Sequence, residues 1–148
     1  MIKICKERWT LKENELKKKI SSMSTQEIEN LDYKTLVAIT MDTILNCDEL
    51  RLDIKGIHEI DDGDYQGTLL YLIPFATYQP SSHEYLMTAV EYGSCSGCDT
   101  LLGIIEYCIK EVTEDIVNDL ITLCRDIIMT TINPYDNDGI FEVVKFEY

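Results

Sequence analysis

Ile54-Lys55-Gly56-Ile57-His58-Glu59-Ile60, then Asp61-Asp62-Gly63-Asp64, then Gly67-Thr68-Leu69-Leu70-Tyr71-Leu72-Ile73 is the stretch on which the fold turns. β-branched and aromatic residues flank an Asp-Gly pair, and that chemistry predicts two strands joined by a tight turn. The second run is apolar at both parities, so it is expected at the centre of a sheet with cover on both faces. After the break Tyr78-Gln79-Pro80-Ser81-Ser82, the run Tyr85-Leu86-Met87-Thr88-Ala89-Val90-Glu91-Tyr92 reads as a third strand beside the central one. The result is an antiparallel meander.

Helical periodicity brackets this meander on both sides. Residues 9–23 place Leu11, Leu16 and Ile20 at roughly helical spacing, with Lys17, Lys18 and Lys19 outward. Ser24-Thr25-Gln26-Glu27 has the capping-box spacing, and 32–46 carries Leu36, Val37, Ile39, Ile44 and Leu45 on one broad face. Downstream, Asp99 can cap a helix running to about Val112. Thr113-Glu114-Asp115 can start another whose inner stripe is Ile116, Leu120, Leu123, Cys124, Ile127 and Ile128. Asn133-Pro134 is the expected stop, and 140–148 reads as a last edge-type strand. The expected architecture is α+β: an antiparallel sheet of three to four strands packed against N-terminal and C-terminal helices. At 148 residues, 45% of them hydrophobic, one domain is the default, with a basic helical segment at about 1–23.

Charge narrows the partners. The net charge of −14 divides unevenly: residues 1–23 hold seven Lys/Arg against three Asp/Glu, whereas 24–148 hold six against twenty-four. So acidic a body repels phosphate backbones, which argues against direct nucleic-acid binding and for a partner protein with a basic surface. Acidity also serves plain solubility. No run nears the roughly 18 apolar residues that span a membrane, and the first residues lack a secretory apolar core. No membrane association and a cytoplasmic location are therefore expected. The six scattered cysteines are expected as reduced thiols in such a core-rich chain.

One segment suggests chemistry: Gly93-Ser94-Cys95-Ser96-Gly97-Cys98-Asp99, where the third strand gives way to a helix. Several readings compete for it. A Cys-x-x-Cys at a helix start suits thiol-disulfide exchange, because the positive helix end lowers a thiol pKa, although no βαβ pattern surrounds it here. The same pair is half a zinc site. Cys108 lies ten residues beyond Cys98, about 15 Å along a helix, too far to complete it. In a meander, however, the first strand's turn and the third strand's end share a rim. That would bring His58, Asp61, Asp62 and Asp64 toward Cys95 and Cys98, giving a candidate zinc set of Cys95, Cys98 and His58 with one of the aspartates as fourth ligand. The cysteines could equally pack as small apolar groups in a tight turn. Finally, the rim could grip a partner through Asp61, Asp62, Asp64, Tyr92, Ser94, Ser96 and Asp99, helped by the tyrosines clustered around the hairpin. The Asp61 to Asp64 turn is not a calcium loop, since Leu72 stands where the twelfth-position Glu belongs. No phosphate loop, dinucleotide fingerprint or Ser-His-Asp spacing occurs, so no catalytic residue is assigned and no enzyme is expected.

Three pieces of this region, Asp64-Tyr65-Gln66-Gly67-Thr68-Leu69-Leu70-Tyr71, Tyr78-Gln79-Pro80 and Tyr92-Gly93-Ser94-Cys95-Ser96-Gly97-Cys98-Asp99-Thr100-Leu101, resemble a pattern found in small uncharacterised proteins of tailed bacteriophages. The resemblance covers about a quarter of the chain. It implies a phage setting, and with it a host cytoplasm, and transfers no catalytic residue. In that setting the expected role is an interaction protein that modulates or inhibits a host protein, such as a basic nucleic-acid-handling or defence factor. A Cys95/Cys98-centred zinc or thiol-redox protein and a virion or assembly component are the alternatives.

Overall fold

The computed structural model describes residues 1–63, 66–81, 83–106 and 111–134. Asp64, Cys108 and the strand expected at 140–148 lie outside the described residues. Within them the chain runs α1 (Ile2–Ser21), α2 (Thr25–Glu29), α3 (Tyr33–Thr40), β1 (His58–Asp61), β2 (Gly67–Pro74), β3 (Tyr85–Tyr92), α4 (Thr100–Ile105) and α5 (Glu114–Met129). The sheet is the expected antiparallel meander in the order β1-β2-β3, and the fold is α+β with α1 and α5 as its N-terminal and C-terminal helices.

Pairing registers place the ends of the strands. Asp61 lies opposite Leu69 and Leu69 opposite Val90, while Gly67 pairs with Tyr92. The end of β1 and the end of β3 therefore share one rim, as the meander requires. On the central strand Tyr71, Ile73 and Pro74 are buried, while Leu69, Leu70 and Leu72 are half-buried. The expectation of full cover on both faces is thus not met. The outer edge of β3 is partly paired, because Met87 and Ile132 exchange backbone hydrogen bonds of 2.8 Å after α5 has ended.

α5 behaves as its stripe predicts. Ile116, Val117, Leu120, Leu123, Cys124, Ile127 and Ile128 are all buried, and Thr113 caps the helix by accepting from the Ile116 N–H at 3.3 Å. The helix ends at Met129, ahead of Asn133-Pro134. Its last carbonyls need partners, and that of Ile127 accepts from three hydroxyls: Thr88 (3.0 Å), Thr130 (3.0 Å) and Thr131 (2.8 Å). Thr88 belongs to β3, so this cluster also ties helix to sheet.

α1 departs from expectation. It starts at Ile2 rather than near Trp9, and its buried residues are Cys5, Trp9, Leu16 and Ile20, spaced by four, seven and four. Leu11, expected inside, is 67% exposed. The helix packs against α5 and against a π-helical turn, Met41–Leu45, that continues α3. Two of its basic side chains serve this contact: Arg8 Nε donates to the Ile44 carbonyl at 2.9 Å and Lys19 Nζ to Thr43 Oγ1 at 2.9 Å. Cations there also face the negative end of the helix dipole. The basic segment is therefore built into the core packing.

Two further boundaries moved for local reasons. The single helix expected over 32–46 changes into the π turn at Met41, marked by the Asn46 N–H bonding back to the Met41 carbonyl at 2.9 Å. Just before it, the buried Thr40 hydroxyl donates to the Leu36 carbonyl at 2.6 Å, a back-bond of the kind that bends helices. The first strand does not begin at Ile54. Asp53 accepts from the Gly56 N–H at 3.2 Å and holds Ile54–Gly56 in a 3-10 turn, so β1 keeps only His58–Asp61.

Candidate functional site

The loop 93–99 leaves β3 under close steric control. A Cβ on Gly93 would stand 2.6 Å from the Cys98 carbonyl carbon and 2.7 Å from Cys98 Sγ, so only glycine fits there. Its N–H donates to Asp99 Oδ2 at 3.0 Å. The N–H groups of Cys98 (3.1 Å) and Asp99 (2.9 Å) both return to the Cys95 carbonyl, closing a turn around Ser96 and Gly97.

Asp99 is the internal fastener of this loop. Its Oδ1 accepts from the Leu102 N–H at 2.9 Å, which caps α4 as the sequence predicts, and from the Tyr33 hydroxyl at 2.9 Å. The same Tyr33 oxygen accepts from the Leu101 N–H at 3.1 Å. At 5% exposure the carboxylate is enclosed by its own donors. Asp99, expected on a partner-gripping face, is held by these internal bonds and also lines the cleft described below. Burial, first, and then the neighbouring Asp99 push the Tyr33 phenol well above its usual range, so it stays a neutral donor. α4 is described over Thr100–Ile105, and residues 107–110 of the helix expected to about Val112 lie outside the described residues.

On the outer side of the loop, Cys95 and Cys98 are both exposed and reduced, with Sγ atoms 3.1 Å apart. The Cys95 N–H points at Cys98 Sγ at 3.2 Å, and Ser94 Oγ lies 3.7 Å from it. Hydrogen bonding from the Cys95 thiol, then from the Ser94 hydroxyl and the Cys95 N–H, lowers the Cys98 thiol from 9.0 to about 7. Local donors therefore do what the sequence reading had assigned to a helix dipole. By contrast, burial pushes the Cys5 and Cys124 thiols up to about 12.

The zinc set is not assembled. His58 opens β1 opposite Leu72, and Leu72 pairs with Met87, five residues before the Tyr92 end of β3 that leads into the loop. Asp61 is nearer, yet among the described residues no group of three or more His, Cys, Asp or Glu is placed to hold a metal ion. Two sulfurs alone leave half of a tetrahedral coordination shell to be found.

The inner side of the same rim forms a cleft of about 390 Å³, bounded by α3's N-terminus, β1, the end of β3 and α4. Four carboxylates line it, those of Asp32, Glu59, Asp61 and Asp99, together with Tyr33, Tyr92 and the apolar side chains of Leu31, Leu69, Leu101 and Leu102; among the described residues its lining holds no Lys, Arg or His. The Tyr92 hydroxyl donates to Asp61 Oδ1 at 2.6 Å, reaching past the central strand, and the Gly63 N–H donates to the same oxygen at 2.9 Å. Tyr92 first and Gly63 second hold the Asp61 carboxyl below the usual range, so it is ionised at neutral pH. Glu59 accepts from the Tyr71 hydroxyl at 2.6 Å through Oε2. Asp32 caps α3 by accepting from the Thr35 N–H at 2.7 Å through Oδ1. Each of these three carboxylates thus has one oxygen fixed by the fold and the other available to a ligand.

Of the expected rim residues, Asp61 and Tyr92 meet in the cleft. Asp62 is not in the cleft lining, and its Oδ1 accepts from the Thr68 N–H at 2.7 Å within the hairpin. Ser94 is exposed on the thiol side and Ser96 is half-buried in the turn. Sequence reasoning missed Asp32, Tyr33 and Glu59. The alternation of β1 could have exposed Glu59, whose strand neighbour across the ladder is Tyr71. Nothing local could have linked Tyr33 to a carboxylate sixty-six residues away. Comparison of the chain with protein-family models, with curated proteins and with solved structures finds no match.

Proposed function

We propose that this chain is an interaction protein that binds a partner with a basic surface, taking a lysine or arginine side chain of that partner into the Asp32–Glu59–Asp61 cleft. The observation that carries the reading is the cleft itself: carboxylates and phenols line a space of about 390 Å³, and among the described residues no cationic side chain does. Charge favours this ligand: the carboxylates of Asp32, Glu59 and Asp61 are exposed, so each pairing is weakened by solvent and salt, and the grip comes from several carboxylates acting on one cation. Leu31, Leu69, Leu101 and Leu102 offer apolar contact to the methylene stem behind the charge.

The net charge of −14 adds long-range steering toward basic surfaces and repulsion of phosphate backbones. In the phage setting that the Tyr92 to Leu101 resemblance implies, the partner is a host protein whose nucleic-acid-binding or defence role makes its surface basic. Occupying that surface would modulate or inhibit it. A pull-down from host lysate tests the proposal. A stoichiometric partner retained at about 0.1 M salt and released as salt screens the contact supports it; recovery of none counts against it.

A further inference from the structure

The two exposed thiols lie outside the cleft and are not needed for cation binding. We infer that Cys95 and Cys98 form a dithiol–disulfide couple that exchanges electrons with disulfides presented at the protein surface. Three features of the loop carry this. The Sγ atoms are already 3.1 Å apart, and a closure of about 1 Å brings them to bonding distance. Both sulfurs face solvent, where an incoming disulfide can reach them. The loop is held at both ends, since Gly93 packs against Cys98 and donates to Asp99, and Asp99 is fixed by Leu102 and Tyr33. The sulfurs are therefore held together by the fold.

The geometry also assigns an order of events. Cys98 is the attacking sulfur, because the Cys95 N–H and the Ser94 hydroxyl surround it as donors and stabilise its thiolate near neutral pH. Cys98 Sγ bonds to one sulfur of an external disulfide, whose S–S bond breaks, and the first thiolate leaves and takes a proton from water. Cys95 then gives up its proton, and its sulfur attacks Cys98 Sγ. The mixed disulfide breaks, the second thiol leaves, and the Cys95–Cys98 bond remains. Two cysteine sulfurs are oxidised and one external disulfide is reduced to two thiols. Cys5 and Cys124 do not compete, as both are buried and held neutral.

Glutathione disulfide is the probe. The folded protein is incubated with graded ratios of reduced and oxidised glutathione at pH 7, acid-quenched and mapped by mass spectrometry, alongside Cys95→Ser and Cys98→Ser. The expected result is a Cys95–Cys98 disulfide in the wild type, set by the glutathione ratio and reversed by reduced glutathione. Cys95→Ser should halt as a glutathione adduct on Cys98, and Cys98→Ser should react at least tenfold more slowly at Cys95. Circular dichroism confirms that each variant keeps its fold. Absence of the 95–98 disulfide in the wild type at excess glutathione disulfide overturns the inference. Equal reaction of Cys98 in Cys95→Ser and of Cys95 in Cys98→Ser overturns the assigned order.

Discussion

Replacing Asp99 by alanine tests how the loop is fastened to the body. The substitution removes the acceptor for three donors at once: the Gly93 N–H (3.0 Å), the Leu102 N–H (2.9 Å) and the Tyr33 hydroxyl (2.9 Å). Loss of an N-cap costs about 1 kcal/mol. A hydrogen bond to a charged group contributes roughly 1.5–3 kcal/mol, and a buried donor left unmade costs about 1–3 kcal/mol. The three bonds share one carboxylate, so their costs do not simply add, and about 3–4 kcal/mol is expected. Asp99→Asn keeps the cap acceptor and should lose about 1–2 kcal/mol. Tyr33→Phe loses both the donor to Asp99 and the acceptor for the Leu101 N–H, also about 1–2 kcal/mol. Urea unfolding followed by circular dichroism reads all of these. With a slope of roughly 2 kcal/mol/M, Asp99→Ala should lower the midpoint by about 1.5–2 M. In combination with Tyr33→Phe the double variant should fall short of additivity by about 1 kcal/mol or more. A loss below about 1 kcal/mol for Asp99→Ala, or strict additivity with Tyr33→Phe, would refute the role given to this network.

Alkaline pH should destabilise the fold in a defined window. Cys5 and Cys124 are buried with pKa values raised from 9.0 to about 12, so between those values the unfolded chain releases protons that the folded chain keeps. Their stabilising effect is complete below pH 9 and falls by roughly 1 kcal/mol per thiol per pH unit above it. A Cys5→Ala/Cys124→Ala variant should show a flatter urea midpoint between pH 9 and 11 than the wild type, and an equally steep decline would contradict the assignment. One turn along α1 from Cys5, Arg8→Met keeps the side-chain stem but removes the donor to Ile44, and should cost about 1–2 kcal/mol, less in high salt. A change under about 0.3 kcal/mol would mean that the basic face of α1 is not part of the packing.

Much of the fold was legible because it rests on short-range chemistry. The Ser24/Glu27 capping box forms both of its bonds, at 3.1 and 3.0 Å, and Asp99 and Thr113 cap their helices as the residue types predict. The α5 stripe obeys its periodicity, and β1 and β2 pair antiparallel as the two strand-like runs predict. What escaped was set by tertiary context. The start of α1 was hidden because Cys5 and Trp9 point inward from among charged residues, while Leu11, the more obvious candidate, is exposed. The π turn and the 3-10 turn at Ile54–Gly56 are accompanied by side-chain bonds, from Thr40 to the Leu36 carbonyl and from the Gly56 N–H to Asp53, which periodicity does not register. The site was half legible. The meander brought Asp61 and Tyr92 together at the expected rim, but the register that did so left His58 toward the other end of its strand. Asp32 and Tyr33 entered the cleft through the packing of α3 against the body, which no local pattern encodes.

The claim that matters most is that the cleft carboxylates grip a basic partner, and a comparative pull-down tests it directly. The wild type and a Glu59→Gln/Asp61→Asn variant, matched by circular dichroism, are used as bait in the same host lysate at about 0.1 M salt. The wild type should retain a stoichiometric basic protein, and the variant should lose it by tenfold or more. Equal retention by both baits, or no stoichiometric partner on the wild type, would contradict the proposed function.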